Sequence, residues 1–419
     1  MTPSATAPHA SAATTCARAT GARATGAAAG PRAEARRRIA TLALASSIVI
    51  SFLAASAAPT PLYDRYEALW HATPLIGTIA FAVYAIAVLV GLLWLGELPA
   101  HLGRRPVLLA AIGGQIVALA LFAVAGSFAP ILLGRVIQGL AAGSALGALA
   151  ATMIESEPSR GTIASAASPA AGSGLGAILS GLAVSFLPAP THTIYLLLIA
   201  VMLGQAAGVA RLIPPVRRRA ISRSALAPRV AVPRRARATF AATTPVIFAV
   251  WGLAGFYFAL GPALFVALTG SHAVWEGALG LFLFAGVGSL STIALHRAPG
   301  RALTLAGAAT MLAGLALTIV AVLVGSVAVY FVASAVVGVG FGAGFQGPVR
   351  TLVPLARAEE RAGLMSAVFV LSYVGLAVPA VISGALVSGV LSLTTVAVAV
   401  AVALAVLTAG ALVATARGR

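Results

Sequence analysis

From residue 39 to its end the chain is a succession of uninterrupted apolar runs, each about 20 residues long, divided by short polar breaks. A run of that length crosses the hydrocarbon core of a bilayer as one helix. Inside lipid, only helices and closed barrels leave no backbone N–H or C=O unpaired. Barrel strands alternate between apolar and polar residues in segments of about ten, and these runs do not alternate. Composition leaves no other outlet: 60% of residues are hydrophobic and 9% are charged, against about 25% charged in a soluble domain. The chain reads as an all-α membrane protein.

Twelve transmembrane helices are expected, at 39–58, 75–95, 107–125, 131–153, 162–186 and 194–212, then at 245–268, 275–295, 303–324, 327–349, 363–387 and 391–414. They fall into two six-helix bundles, 39–213 and 244–415, joined by a basic linker over 214–243 and flanked by residues 1–38 and 416–419. Residues 1–38 are rich in Ala, Thr, Gly and Arg without hydrophobic periodicity, and read as a disordered tail. The first apolar run is too long and too far into the chain for a cleaved signal peptide. The central stretch 211–237 holds nine arginines together with Pro214, Pro215, Pro228 and Pro233. Cys16, in the tail, is the single cysteine, so no disulfide framework is open to this chain.

The formal net charge of +18 is an orientation signal and not the footprint of a nucleic-acid partner. Every cation is Arg, and neither Lys nor Asn occurs. That is the pattern of a GC-rich coding sequence, and so of a high-GC bacterium. With the N-terminus inside, all but two of the 27 arginines fall in the tail, the linker, the loops on that same side and the C-terminus. Arg65 alone lies on the other side, and Arg135 lies within a span. By the positive-inside rule both termini and the linker are cytoplasmic. The expected location is the cell membrane, with anionic lipid as a neighbour.

The break between the second and third spans reads GELPAHLGRRPVLL, residues 96–109. Gly103 permits a sharp turn, and Arg104 and Arg105 can reach helix-terminal carbonyls, acids or lipid phosphates. Span four carries Arg135-x-x-Gln138-Gly139. A guanidinium within a span is costly in lipid. It either faces a polar interior with Gln138 one turn on, or snorkels to the outer surface. Gly139 and Gly143 follow Arg135 by four and eight residues, and Gly338 and Gly342 follow Ser334 in span ten at the same spacing. This weak repeat fits duplication of a six-span unit. In span five, Gly172, Gly176 and Gly181 are spaced for close helix packing.

These motifs resemble those of the major facilitator superfamily. The loop Gly96-x-Leu98-x-x-x-x-Gly103-Arg104-Arg105 is similar to its signature Gly-x-Leu-x-Asp-Arg-x-Gly-Arg-Arg, but has Ala100 and His101 at the acidic and basic positions. Arg135-x-x-Gln138-Gly139 resembles the family's Arg-x-x-Gln-Gly motif. The span-five glycines match the spacing of its antiporter motif, with Ala177 where that motif has Pro. The stretches AAPTPLYDRYEALW and RAEERAGLMSAVFVLSYVGLAVPA look like bacterial drug-efflux members. The resemblance implies two six-helix bundles around a central cavity that opens alternately to each side. It also implies that the loop from Gly96 to Arg105 braces the two halves. The activity implied is monomeric secondary transport of a small organic molecule, with proton-coupled efflux as the leading mechanism. The alternatives are uptake or facilitated diffusion of a sugar or other metabolite and, in a different class, a non-transporting receptor or scaffold.

Coupling to protons needs a group that can change charge inside the protein. Asp64, after span one, and Glu276, at the outer end of span eight, are the candidates, and are expected in a polar network with Arg135 and Gln138. The cavity is expected to draw on Tyr84, Gln115, Trp251, Phe256, Tyr257, Gln346 and Tyr373. With so little charge available, it should suit neutral or lipophilic cationic compounds. Gly261, Pro262 and Pro379 mark expected bends. No His-Glu-x-x-His pair, glycine-elbow serine or phosphate-binding loop occurs. The chain is therefore read as no enzyme and no ATP-driven pump, with no cofactor and no metal.

Overall fold

Proline marks where several helices begin, because the N–H it lacks is one that a first turn leaves unpaired anyway. Pro74, Pro158 and Pro190 each stand in such a first turn. The computed structural model describes residues 31–215, 227–271, 273–389 and 391–417. Its first half comprises α1 (Pro31–Ala57), α2 (Tyr63–Leu69), α3 (Pro74–Val90), α4 (Leu98–Leu102), α5 (Arg104–Ala123), α6 (Phe128–Ser156), α7 (Pro158–Phe186) and α8 (Pro190–Leu212). The second comprises α9 (Arg237–Thr269), α10 (Val274–Ala294), α11 (Gly300–Val324), α12 (Val327–Leu352), α13 (Arg361–Gly389) and α14 (Leu393–Arg417). Among the described residues, 12 helical spans are long and apolar enough to cross a membrane. The short α2 continues the first, and α4 lies in the break between the second and third.

The two halves repeat one packing scheme. In the first, α1 packs on α6, α7 and α8, α3 packs on α6, and α5 packs on α6 and α8. In the second, α9 packs on α12, α13 and α14, α10 packs on α12, and α11 packs on α12 and α14. The halves meet through α7 against α10 and α3 against α13, so each contact joins the fifth span of one half to the second span of the other. A pseudo-two-fold relation between two parallel repeats has this form.

Glycine placement explains the repeat seen in the sequence. A Cβ on Gly139 would sit 2.7 Å from the carbonyl oxygen of Tyr84, and one on Gly143 would sit 2.6 Å from the amide nitrogen of Leu92. Gly338 and Gly342 press in the same way on Phe284 and Gly288 of α10. The α3–α6 contact of the first half is therefore made again as α10–α12 in the second. Lipid offers helices no hydrophobic drive to associate, and close backbone contact supplies the van der Waals attraction instead.

Several boundaries differ from those expected. The first helix begins at Pro31, inside the stretch read as tail, where Glu34 and Arg38 pair one turn apart at 2.6 Å and no helix breaker intervenes. The stretch after span one is no loose loop: residues Thr60–Leu62 form a 3-10 turn, and α2 buries Tyr63 and Tyr66. The ninth helix begins at Arg237, within the expected linker, and α14 runs on to Arg417. Residues 1–30 with Cys16, residues 216–226 of the linker and residues 418–419 lie outside the described residues.

If close approach holds α3 to α6, Gly143→Val forces the two backbones apart. Overpacking of this kind costs about 1–3 kcal/mol or more, so the variant should show a clear drop in thermal midpoint and folded yield. Gly147 has nothing within 4 Å of its added Cβ, and Gly147→Ala should leave the melting curve in place. Equal behaviour of the two variants would show that the glycine contact is dispensable.

Candidate functional site

The two bundles enclose a cavity of about 840 Å³. Its walls are apolar and aromatic, and at mid-span they include Tyr84 of α3, Trp251 and Phe258 of α9, Phe284 of α10 and Tyr373 of α13. From there it extends to the helix ends that carry Met153, Ser159, His296 and Arg350, the same end as the arginine-bearing breaks. The opposite end is shut by contacts between the halves. There the Leu75 amide donates to Ser388 Oγ at 3.0 Å, and the Trp275 amide donates to Ser185 Oγ at 3.3 Å. Gly181 of α7 lies against Ala278 of α10, and Gly384 of α13 lies against Thr78 of α3. The structure is thus closed on one side and reached from the other.

Of the residues expected to line the cavity, Tyr84, Trp251, Gln346 and Tyr373 do so. Gln115, Phe256 and Tyr257 do not. Gln115 is buried between α5 and α6, where its Nε2 donates to the Gln138 carbonyl at 3.1 Å. The Tyr257 hydroxyl lies 3.3 Å from that of Thr318, inside the second bundle, and its ring stacks on Phe284 at 5.1 Å. Phe256 is packed beside it. The reason is helical period: Trp251, Ala254 and Phe258 of α9 face the cavity at a spacing of three and four, and Phe256 and Tyr257 fall on the faces between them.

Arg135 faces inward and is fully buried, so the snorkelling alternative is excluded by geometry. Its guanidinium donates to the Ser56 carbonyl at 2.7 Å, to Gln138 Oε1 at 2.8 Å and, through Nε, to the Tyr63 hydroxyl at 3.1 Å. It also lies 5.4 Å from the centroid of the Tyr84 ring, a cation–π distance. The expected acidic partners are absent. Asp64 is exposed, and Glu276 accepts from Ser271 Oγ at 3.0 Å. Among the described residues no carboxylate comes within 4.0 Å of Arg135. Sequence reasoning missed Ser56 and Tyr63. A backbone carbonyl carries no sequence signal, and Tyr63 reads as a loop residue until α2 folds it inward.

The loop expected to brace the halves is held within the first half. Gly103 adopts φ 87°, which a side chain would strain, and turns the chain from α4 into α5. Arg104 makes a two-pronged pair with Glu155 at the end of α6, both bonds 2.6 Å long. Glu97 is exposed, Leu98 and Arg105 are partly buried, and Gly96 closes on the carbonyl of Leu92. On α7, Gly172 and Gly176 press on Ile50 and Ala54 of α1, whereas Gly181 makes the contact to α10 already described. At the end of the linker, Ala231 donates to the Gly363 carbonyl at 3.2 Å, and Arg235 pairs with Glu360 at 2.8 Å. The Arg357 amide and Arg235 together hold the Glu360 carboxyl below its usual range.

Comparison with curated proteins finds no match. The family model described as Major Facilitator Superfamily matches residues 39–380, from α1 into α13. That match, on twelve apolar spans in two repeated bundles around one cavity, makes the chain a membrane transporter that belongs to the Major Facilitator Superfamily.

Proposed function

We infer that this transporter resides in the cell membrane, with both termini and the linker cytoplasmic, and exports a small organic molecule in exchange for protons. The cavity carries the reading. It is walled by aromatic and aliphatic side chains and reaches the arginine-rich end, from which an exporter loads. The glycine spacing of α7 adds the antiporter resemblance. A second reading, uptake or facilitated diffusion of a metabolite, draws on one observation: among the described residues the lining includes no Asp or Glu to carry a proton. Proteoliposomes loaded with pyranine separate the two. Alkalinisation of the lumen as substrate enters supports exchange, acidification marks co-transport and so uptake, and substrate flux with no proton movement supports facilitated diffusion.

Orientation is tested by single cysteines in a background lacking Cys16. An impermeant maleimide added to intact cells should label Leu69→Cys, whose parent residue is 57% exposed, and leave Arg229→Cys unlabelled. The reverse pattern would invert the topology.

Arg135→Lys keeps the charge but loses the planar fork, and Arg135→Ala leaves Tyr63 and the Ser56 carbonyl buried without their donor. An unpaired buried polar group costs about 1–3 kcal/mol, and about 1.4 kcal/mol is a tenfold loss of rate. Where that cost falls on the conformational change, transport by either variant should drop by roughly 5- to 150-fold at matched abundance. No carboxylate loses a partner, so the pH of half-maximal rate should stay where it was. Full activity in Arg135→Ala would remove the residue from the mechanism, and a displaced pH profile would reveal an acid coupled to it.

Arg104→Gln frees Glu155 and loosens α5 from the end of α6. Slower transport with unchanged substrate affinity is expected. Wild-type rates at equal expression would reduce the loop to an orientation signal.

A further inference from the structure

Charge is distributed one-sidedly around the cavity. At its inner end Ser56 and Tyr84 form the wall, and Arg135 lies directly behind both, donating to one and facing the ring of the other. At its mouth Arg350 is itself part of the lining. Arg350 donates to Gln346 Oε1 at 2.6 Å and to the carbonyls of Ala298 and Leu295 at 2.9 and 3.4 Å, capping the end of α10. Both guanidiniums are thus held by uncharged acceptors. Among the described residues neither has a carboxylate within 4.0 Å. Among the described residues the lining contains no Asp or Glu, and its other basic residue is His296. Of the acids that flank the lining residues Met153 and Ser159, Glu155 is already engaged by Arg104, and Glu157 has no Arg or His within 4.0 Å among the described residues.

The aromatic wall stands next to the Arg350 charge. Phe345 and Gln346 precede Arg350 by about one turn of α12, and all three line the cavity. Trp251 packs across from them, 5.4 Å from the Phe345 ring and 5.6 Å from that of Tyr373. Trp251 Nε1 is a buried donor with no acceptor among the described residues. Low-dielectric walls focus the field of fixed charges into a cleft. A lipophilic cation entering here meets two positive groups with no acid within 4.0 Å among the described residues, and an anion meets the Nε–H and the second Nη2–H that Arg350 keeps free beside its bonds to Gln346, Ala298 and Leu295.

We propose that the substrate is an amphipathic organic anion: an apolar, aromatic-bearing body held by the Trp251, Phe345 and Tyr373 wall, with its carboxylate toward Arg350. The proposal rests on the reading of the cavity as the transport site. It replaces the neutral-or-cationic preference that the scarcity of charge suggests, because the few charges that do border the cavity share one sign.

The full chain in nanodiscs, titrated calorimetrically against empty nanodiscs, tests this with three probes on one ring system: 2-naphthoate, 2-acetylnaphthalene and (2-naphthylmethyl)trimethylammonium. Naphthoate should bind at least about tenfold tighter than the uncharged ketone, and the ammonium should bind weakest. Arg350→Gln should erase the difference between naphthoate and ketone, and Arg350→Lys, which keeps the charge, should retain part of it. Equal binding of naphthoate and ketone by the native chain, or tighter binding of the ammonium, overturns the proposal and leaves the cavity reading standing. So does an anion preference that survives both Arg350→Gln and Arg135→Gln. Failure of all three probes to bind sinks the cavity as the binding site, and the proposal with it.

Discussion

Close approach of helix backbones is the constraint on which the rest of this protein depends. In lipid, burying Leu against Leu gains little over leaving it against acyl chains, so association rests on van der Waals contact over surfaces that fit. The chain provides those surfaces with glycine at the sites of contact. Gly139 and Gly143 let α6 lie on α3, Gly172 and Gly176 let α7 lie on α1, and Gly338 and Gly342 let α12 lie on α10. Gly181 and Gly384 do the same between the halves, at the end where the cavity is shut. Glycine at these contacts sets backbone against small side chains. Such contacts suit an interface that must separate when the protein opens to the other side.

Charge is the second constraint, and it is used sparingly. One guanidinium is fully buried and is satisfied by a carbonyl, an amide and a phenol in place of an acid. A salt bridge at that depth would neutralise the field, whereas neutral acceptors keep the group hydrogen-bonded and leave its charge felt nearby. The same arrangement recurs at Arg350 near the mouth. The cavity between them has one guanidinium in its lining and another directly behind its wall. At the position of Arg135 the second half has Ser334, buried and bonded to its own helix. The duplicated scaffold is therefore symmetric in its packing and asymmetric in its chemistry.

What the sequence by itself determined was set by physics that acts locally or through lipid. Run length and the absence of alternation dictated helical spans. The Gly139/Gly143 and Gly338/Gly342 spacing marked the faces that touch, and the Arg135-x-x-Gln138 spacing placed an amide one turn from a guanidinium, where it is found. Helix ends were legible only approximately, because no rule stops a helix at the membrane surface: α1 starts at Pro31 and α9 at Arg237. Tertiary structure decided what depends on the direction a helix face takes after packing. Trp251 reaches the cavity while Phe256 and Tyr257, a few residues on in the same helix, turn into the second bundle. Asp64 and Glu276, placed on the same side of the bundle as Arg135 by the order of the spans, end up apart from it, and Tyr63 folds in to take the place an acid was expected to fill. Period and composition fix which residues can share a face, but only the packing of twelve helices fixes which way that face looks.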